Sequence, residues 1–325
     1  MARQNHSLQA DNPSIDNQAV AEVESSVQGT PLRANVANRI INLLAIVTPF
    51  AALVLAIVLL WGRGVDLLYI FLFIGMYVGT ALGVTVGFHR LFTHRSFETG
   101  RIMQAVFALL GSMAVEGPLL RWVATHRCHH QHSDHEEDPH SPHTYGAGVL
   151  NVLRGFWRAH VGWVVGPQRV DLNRYNADLR ADRFLRALSA LFPVWVVLGL
   201  VIPGVLGGVI SGSWSGVLLG LLWGGLVRIF FVHHVTWSIN SVCHLWGTQP
   251  FRSHDESRNN IIFGVIGFGE GWHNNHHAFP TSARHGLRWW EFDLSYWVIV
   301  AMEKLGLARR VRLIPQERIE AKRSR

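Results

Sequence analysis

Apolar residues in this chain gather into four long runs: Ile40–Trp61, Val65–Gly87, Leu185–Ser211 and Gly216–Trp237. A helix needs about 20 apolar residues to cross the hydrocarbon core of a bilayer, and each run is long enough. Gly62-Arg63-Gly64 joins the first pair and Gly212-Ser213-Trp214-Ser215 the second. Links this short fold each pair into an antiparallel hairpin. Both turns then face one side of the membrane. The N-terminus, the loop 88–184 and residues 238–325 face the other. The predicted fold class is an all-α integral membrane protein: four transmembrane helices in two hairpins, with a helical cap on the side that holds the long loops. A shorter apolar stretch, Ile102–Val115, cannot span and predicts an interfacial or re-entrant helix. The pattern divides the chain into a polar N-terminal tail (1–38), a membrane-bound domain (39–310) and a basic C-terminal tail (311–325).

Composition agrees with this division. Charged residues make up 16% of the 325 residues and hydrophobic ones 49%, which is low in charge for a soluble domain. The formal net charge is +7. In a membrane protein such an excess belongs to cytoplasmic loops rather than to a nucleic-acid surface. The two turns carry only Arg63. The middle loop carries Arg90, Arg95, Arg101, Arg121, Arg127, Arg154, Arg158, Arg169, Arg174, Arg180 and Arg183. That asymmetry places the loop, both termini and the cap in the cytoplasm, with the protein multi-pass in the inner membrane. Residues 1–38 have no apolar core of the kind a cleavable signal peptide needs. Cys128 and Cys243 form no CxxC pair and read as reduced and structural. Gly207, Gly208, Gly212, Gly216, Gly220, Gly224 and Gly225 read as close helix packing and a flexible turn in the second hairpin.

Three histidine clusters, all predicted on the cap side, carry the chemistry. They are His89 and His94; His126, His129 and His130; and His273, His276 and His277. In the second and third boxes the positions i, i+3 and i+4 share a helix face, so each box can aim three imidazoles at a common point. His89 and His94 are five apart, which a regular helix would splay. Either that helix end unwinds or the two rings serve different metals. His244 lies just beyond the fourth span and is a ninth candidate, with Asn240 one turn before it. So many imidazoles exceed the needs of one ion and suit two, although imidazole accepts Fe, Cu, Ni or Zn. Ligating rings need acceptors for their second nitrogen, and Glu136, Glu137, Asp138 and Glu270 are the nearby candidates. His6, His135, His143, His254 and His285 read as surface or packing residues. His233 and His234 fit either helix capping or polar contact to the site.

These residues resemble the membrane fatty acid desaturases related to stearoyl-CoA desaturase. The matching strings are GFHRLFTH, HRCHHQHSD with Asp138-Pro139-His140, HVGW at His160–Trp163, Asn240-Ser-Val-Cys-His244, and GEGWHNNHHAFP at 269–280. The segment from Ser282 to Asp293 looks most like the bacterial and plant delta-9 branch. The resemblance covers Gly87 to about Val300. It implies four transmembrane helices under a cytoplasmic cap. It also implies two Fe ions held by the eight box histidines and His244, with Asn240 reaching one ion through water. An acyl tunnel, bent beside the irons, would be lined by Trp122. The second span would close its far end, where Phe73 and Tyr77 lie four apart on one face; Tyr77 either shortens the tunnel or packs the helices. Animal acyl-CoA members of the family carry a basic pair after HVGW and an Arg-Asp pair before the second box. Here those positions hold Pro167 and Gln168, and Ala124 and Thr125. The long-chain acyl carrier is therefore open between acyl-CoA, acyl-lipid and acyl-carrier protein.

The reaction that the resemblance implies is oxygen-dependent desaturation, placing a cis double bond at delta-9 with O2 as co-substrate. No side chain can take hydrogen from an unactivated methylene, so a metal–oxygen oxidant is required. No Rossmann glycines, Fe–S cysteines or HPGG string occur. Electrons must come from a separate donor such as a ferredoxin with its reductase, and membrane lipid is the surrounding partner. Two rivals remain. A membrane acyl or alkane hydroxylase would use a similar site. A metal transporter would place polar ligands inside the spans, where only Arg228, His233 and His234 occur.

Overall fold

A computed structural model describes residues 36–61, 66–166 and 170–324. Four helices in it are long and apolar enough to cross a membrane: α1 (Val36–Leu60), α2 (Leu67–Thr93), α8 (Phe192–Ser211) and α9 (Trp214–Ser241). At 1.5 Å per residue, the 25 residues of α1 extend roughly 37 Å, more than the ~30 Å hydrocarbon core. Ile40, Leu44, Val47 and Leu55 stay exposed along it, as lipid-facing side chains do. The Asp66 carboxylate caps α2 by accepting from the Leu68 amide at 2.8 Å. The turn 62–64 and the positions Pro167 and Gln168 lie outside the described residues, as does most of the N-terminal tail.

The third span is shorter than its apolar run. Residues 185–190 belong to a separate helix, α7 (Arg183–Ala190), which Asp182 caps. Pro193 stands in the first turn of α8. A proline there has no N–H to carry an incoming helix onward but starts a new one well. The second hairpin turns at Gly212, whose φ of 64° is left-handed. The close packing expected of its glycines is present. A Cβ on Gly207 would lie 2.3 Å from Gly216 O, and one on Gly220 would lie 2.2 Å from Pro203 O.

The short apolar helix α3 (Arg101–Met113) packs tightly on α2, where a Cβ on Gly83 would meet Gly111 N at 2.2 Å. Arg228, fully buried in α9, binds three backbone carbonyls. Nε donates to Gly224 O at 3.2 Å, Nη1 to Met113 O at 2.6 Å and Nη2 to Gly199 O at 3.0 Å. This buried cation therefore ties α3, α8 and α9 together.

The rest of the chain forms the cap. It contains α4 (Leu119–His132), α5 (Val149–Trp157), α6 (Leu172–Ala181), α10 (Ile261–Ile266), α11 (His273–Ala278), α12 (Leu294–Lys304) and α13 (Gln316–Lys322). A two-residue ribbon pairs β1 (Glu98–Thr99) with β2 (Ala308–Arg309). Phe88, Phe97, Phe107, Leu119, Val123 and Ile299 share the main apolar core, where α2 enters the cap. Residues 311–324 are docked rather than trailing. Arg312 N donates to Ser96 O at 2.8 Å, and Lys322 Nζ donates to Ala278 O at 2.8 Å. Both cysteines are free and buried.

Candidate metal centre

From Gly83 to Thr93, α2 changes from an α- to a π-helix, and every residue of this segment is buried. The His94 amide donates to His89 O at 3.1 Å, an i→i+5 bond. A π-turn puts residues five apart on one face. The His89 and His94 rings accordingly meet with centroids 4.7 Å apart. The five-residue spacing thus needs neither unwinding nor two separate metals; it is the register of this helix. Arg90 fixes the segment in place. Its guanidinium donates to Glu270 Oε1 at 3.0 Å, Asp293 Oδ2 at 3.2 Å and Ala283 O at 2.7 Å.

All nine predicted histidines converge, in two adjacent groups. His89, His94, His126, His130 and His276 form one, and His129, His244, His273 and His277 the other. The His130 and His277 rings stack across the boundary at 4.4 Å. The second and third boxes do not each aim at one point, as the spacing suggested. Each is split. On a helix, i and i+4 differ by about 40° in direction, whereas i+3 lies about 100° from i+4. The pair 126/130 therefore serves one group and 129 the other; 273/277 and 276 do the same in reverse.

The donor set fits two cations. Two ring nitrogens bound to one ion at about 2.1 Å stand roughly 3.0–3.4 Å apart. Here Nε2 to Nε2 separations are 3.1 Å for His89–His276, 3.1 Å for His126–His130, 2.9 Å for His130–His276 and 3.1 Å for His244–His273. Nε2 of His94, His129 and His277 is buried with no hydrogen-bond partner among the described residues, a state that otherwise costs about 1–3 kcal/mol per group. Burial, then repulsion among the imidazoles, pushes His94, His126, His130, His276 and His277 well below the ordinary histidine value. They are held in the neutral form that binds metal.

Carboxylates orient the rings from behind. Nδ1 of His129 donates to Asp138 at 2.9 Å, Nδ1 of His244 to Asp134 at 2.8 Å and Nδ1 of His277 to Asp255 at 2.5 Å. Each bond turns Nε2 toward the cage. His89 Nδ1 lies 2.6 Å from Glu270 Oε2 but off the hydrogen-bonding direction. Burial alone would raise Asp138 and Glu270. His129 facing the first, and His89 with the Arg90 guanidinium facing the second, outweigh it and hold both below the usual carboxylate range. Asp138 and Glu270 thus take the place foreseen for them. Glu137 instead pairs with His132 at the surface, and Glu136 is exposed. Asp134 and Asp255 carry no local signal that marks them, since their partners lie 110 and 22 positions away.

Histidines assigned to packing have varied places. His285 is buried against the five-ring group, its ring 4.4 Å from that of His276 and its Nδ1 3.3 Å from Glu270. His143 Nε2 donates to His244 O at 2.8 Å, and His254 Nε2 to His130 O at 3.3 Å. His233 binds Val115 O at 3.1 Å, and His234 pairs with His160 at 2.9 Å. His6 lies outside the described residues.

A cavity of about 310 Å³, lined largely by apolar side chains, runs from Asn38 and Asn42 on α1 to His89, His126 and His273. Trp122, Tyr77 and Asn240 line it. Trp122 stacks on His126 at 5.0 Å. Phe73 is not on the wall; it stands behind Tyr77, with ring centroids 6.1 Å apart.

Residues 66–311 match the fatty acid desaturase family. The chain belongs to that family. It is 46% identical over 279 residues to a hex-5-enoyl-[acyl-carrier protein] acetylenase of Moorena producens (strain JHB), covering 85% of this chain and 87% of that protein. Over 245 residues it is 39% identical to an sn-1 stearoyl-lipid 9-desaturase of Synechocystis sp., covering 74% and 71%. Over 252 residues it is 37% identical to an icosanoyl-CoA 5-desaturase of Limnanthes douglasii, covering 75% and 64%. By their names these relatives differ in the acyl carrier and in the bond they act on.

Proposed function

We propose that this protein is an oxygen-dependent acyl desaturase that inserts a cis double bond at delta-9. Its metals would be two iron ions, one held by His89, His94, His126, His130 and His276, the other by His129, His244, His273 and His277 with Asn240 through water. One observation carries the reading: two adjacent, carboxylate-backed histidine cages at the end of an apolar cavity. Iron bound there would supply the oxygen-dependent oxidation that no side chain can perform on a methylene. The protein's own part is positioning. A misplacement of about 1 Å can cost on the order of a hundredfold in rate. Trp122 forms the wall against His126, and Tyr77 limits the reach of the chain beyond it. In the overall balance the saturated chain loses two hydrogens, and O2, two electrons and two protons leave as two waters.

The active site faces the cytoplasm in this reading, and a ferredoxin with its reductase delivers the electrons. The basic middle loop suits an acidic donor. Delta-9 rests on likeness to the stearoyl-lipid 9-desaturases. The acetylenase at 46% identity favours a second reading, in which an existing double bond near the chain end becomes a triple bond. The deciding experiment is acyl profiling in a host that lacks unsaturated chains, with His276→Ala as control. New cis-9 monoenes support the first reading, and alkynes from a supplied terminal alkene support the second. Hydroxylated chains, or products unchanged in His276→Ala, overturn both.

A further inference from the structure

Glu116 sits in the cavity wall between α3 and α4, its side chain partly buried and its Oε1 closed off from water. Oε2 accepts from the Trp122 indole Nε1 at 3.0 Å. Oε1 is buried and has no hydrogen-bond partner among the described residues, although Thr236 stands beside the carboxyl. The neighbouring polar groups on this wall are committed elsewhere: the Tyr77 hydroxyl donates to Ile266 O at 2.7 Å and His233 Nε2 to Val115 O at 3.1 Å. Burial pushes Glu116 up to about 7, against the opposing influence of the nearby Thr236 side chain and of the Trp122 bond. A carboxyl raised in this way keeps its proton more readily than an exposed glutamate, and its Oε1 is free to pair in either form.

A plain methylene chain has no use for such a group. A polar atom buried beside it stays unpaired, with its desolvation penalty unrelieved. A site built to pair with a substrate oxygen selects against the analogue that lacks it, because the site's own polar atom is then stranded. The geometry points to Glu116 as a polar recognition point inside the cavity, pairing with a hydroxyl or carbonyl oxygen borne by the acyl chain itself. Trp122 is stacked on His126, so an oxygen held there lies within a few carbons of the histidine cages. Two kinds of substrate bring one to that depth. A short acyl chain draws its own ester or thioester carbonyl in as far as Trp122. A long chain carries an oxygen function part-way along. The inference rests on the acyl reading of the cavity.

The test is equilibrium binding by the full-length, metal-loaded protein in detergent, read as displacement of a fluorescent fatty acid. One ladder uses unsubstituted acyl thioesters of N-acetylcysteamine from six to eighteen carbons. The other uses octadecanoyl thioesters with a hydroxyl moved along the chain. Wild type should bind one member of one ladder roughly tenfold more tightly than its neighbours, about the effect of one buried hydrogen bond. A preferred length identifies the carbonyl as the partner; a preferred hydroxyl position identifies the mid-chain oxygen. Glu116→Leu should flatten the preference, and Glu116→Gln, which keeps a donor and an acceptor, should retain most of it. A flat wild-type profile in both ladders, or a preference that survives Glu116→Leu, overturns the inference. Should the Leu variant fail to assemble, the wild-type ladders still decide. If no acyl chain displaces the probe at all, the acyl reading fails with it.

Discussion

The carboxylates behind the rings divide unevenly between the two cages. Asp134, Asp138 and Asp255 support three of the four histidines of one group, whereas Glu270 supports His89 of the other. Asp255→Asn therefore perturbs one centre selectively. Its side chain is buried, accepts from His277 Nδ1 and is steadied by the Ser257 hydroxyl at 2.5 Å. Asparagine keeps the shape and one acceptor oxygen but removes the charge that favours a donating Nδ1–H. Loss of such an outer partner typically weakens metal affinity 10–100-fold, or about 1.4–2.8 kcal/mol. The assay is metal content by mass spectrometry after equilibration with a graded chelator series. Wild type should lose its two ions over one span of chelator strength. Asp255→Asn should show a two-step loss, the first ion leaving at about 10–100-fold weaker chelation while the second keeps its wild-type midpoint. If both ions shift together, or neither shifts, the assignment of separate cages with separate supports is wrong.

Other outcomes follow from the packing and the cavity. Gly83→Ala drives a methyl into the Gly111 backbone and should lower thermal stability by about 1–3 kcal/mol, read by a melting assay in detergent. Arg228→Met strands the carbonyls of Met113 and Gly199 in the membrane interior; a loss of about 2–4 kcal/mol is expected, and an unchanged melting temperature refutes the clamp. Glu116 has its carboxyl raised to about 7 by burial. Its contribution to stability is therefore full below pH ~4.5 and lost as pH rises through 7, by up to roughly 3 kcal/mol. Melting temperatures of wild type and Glu116→Gln should converge in acid and separate by pH 8, the variant being the more stable; parallel profiles contradict this. Tyr77→Ala should lengthen the preferred acyl chain in product analysis, because Tyr77 and not Phe73 is on the cavity wall.

Hydropathy located the four spans because lipid imposes its demand on every residue of a run, and that demand is local in sequence. It overshot at Leu185–Ala190, since apolar content cannot reveal that Pro193 restarts the helix. Six of the nine histidines were legible because repeated i, i+3, i+4 spacing is a local pattern too. Their allotment to two cages was not: it depends on how α4 and α11 are rotated against each other, which tertiary packing decides. The π-register of box one left its trace in the five-residue spacing, but the α-helical period hid it. Asp134, Asp255 and His285 act on partners brought close only by folding, so no window along the chain distinguishes them from surface residues.

The pairing of His89 with His276 joins positions 187 residues apart, and that of His130 with His276 joins positions 146 apart. While the ribosome is still making the second hairpin, the early boxes exist without the rings that complete them. Contacts between such distant residues form late in folding. Loading of the centre is thus a final act, possible only after both hairpins have entered the lipid and the last box has been translated.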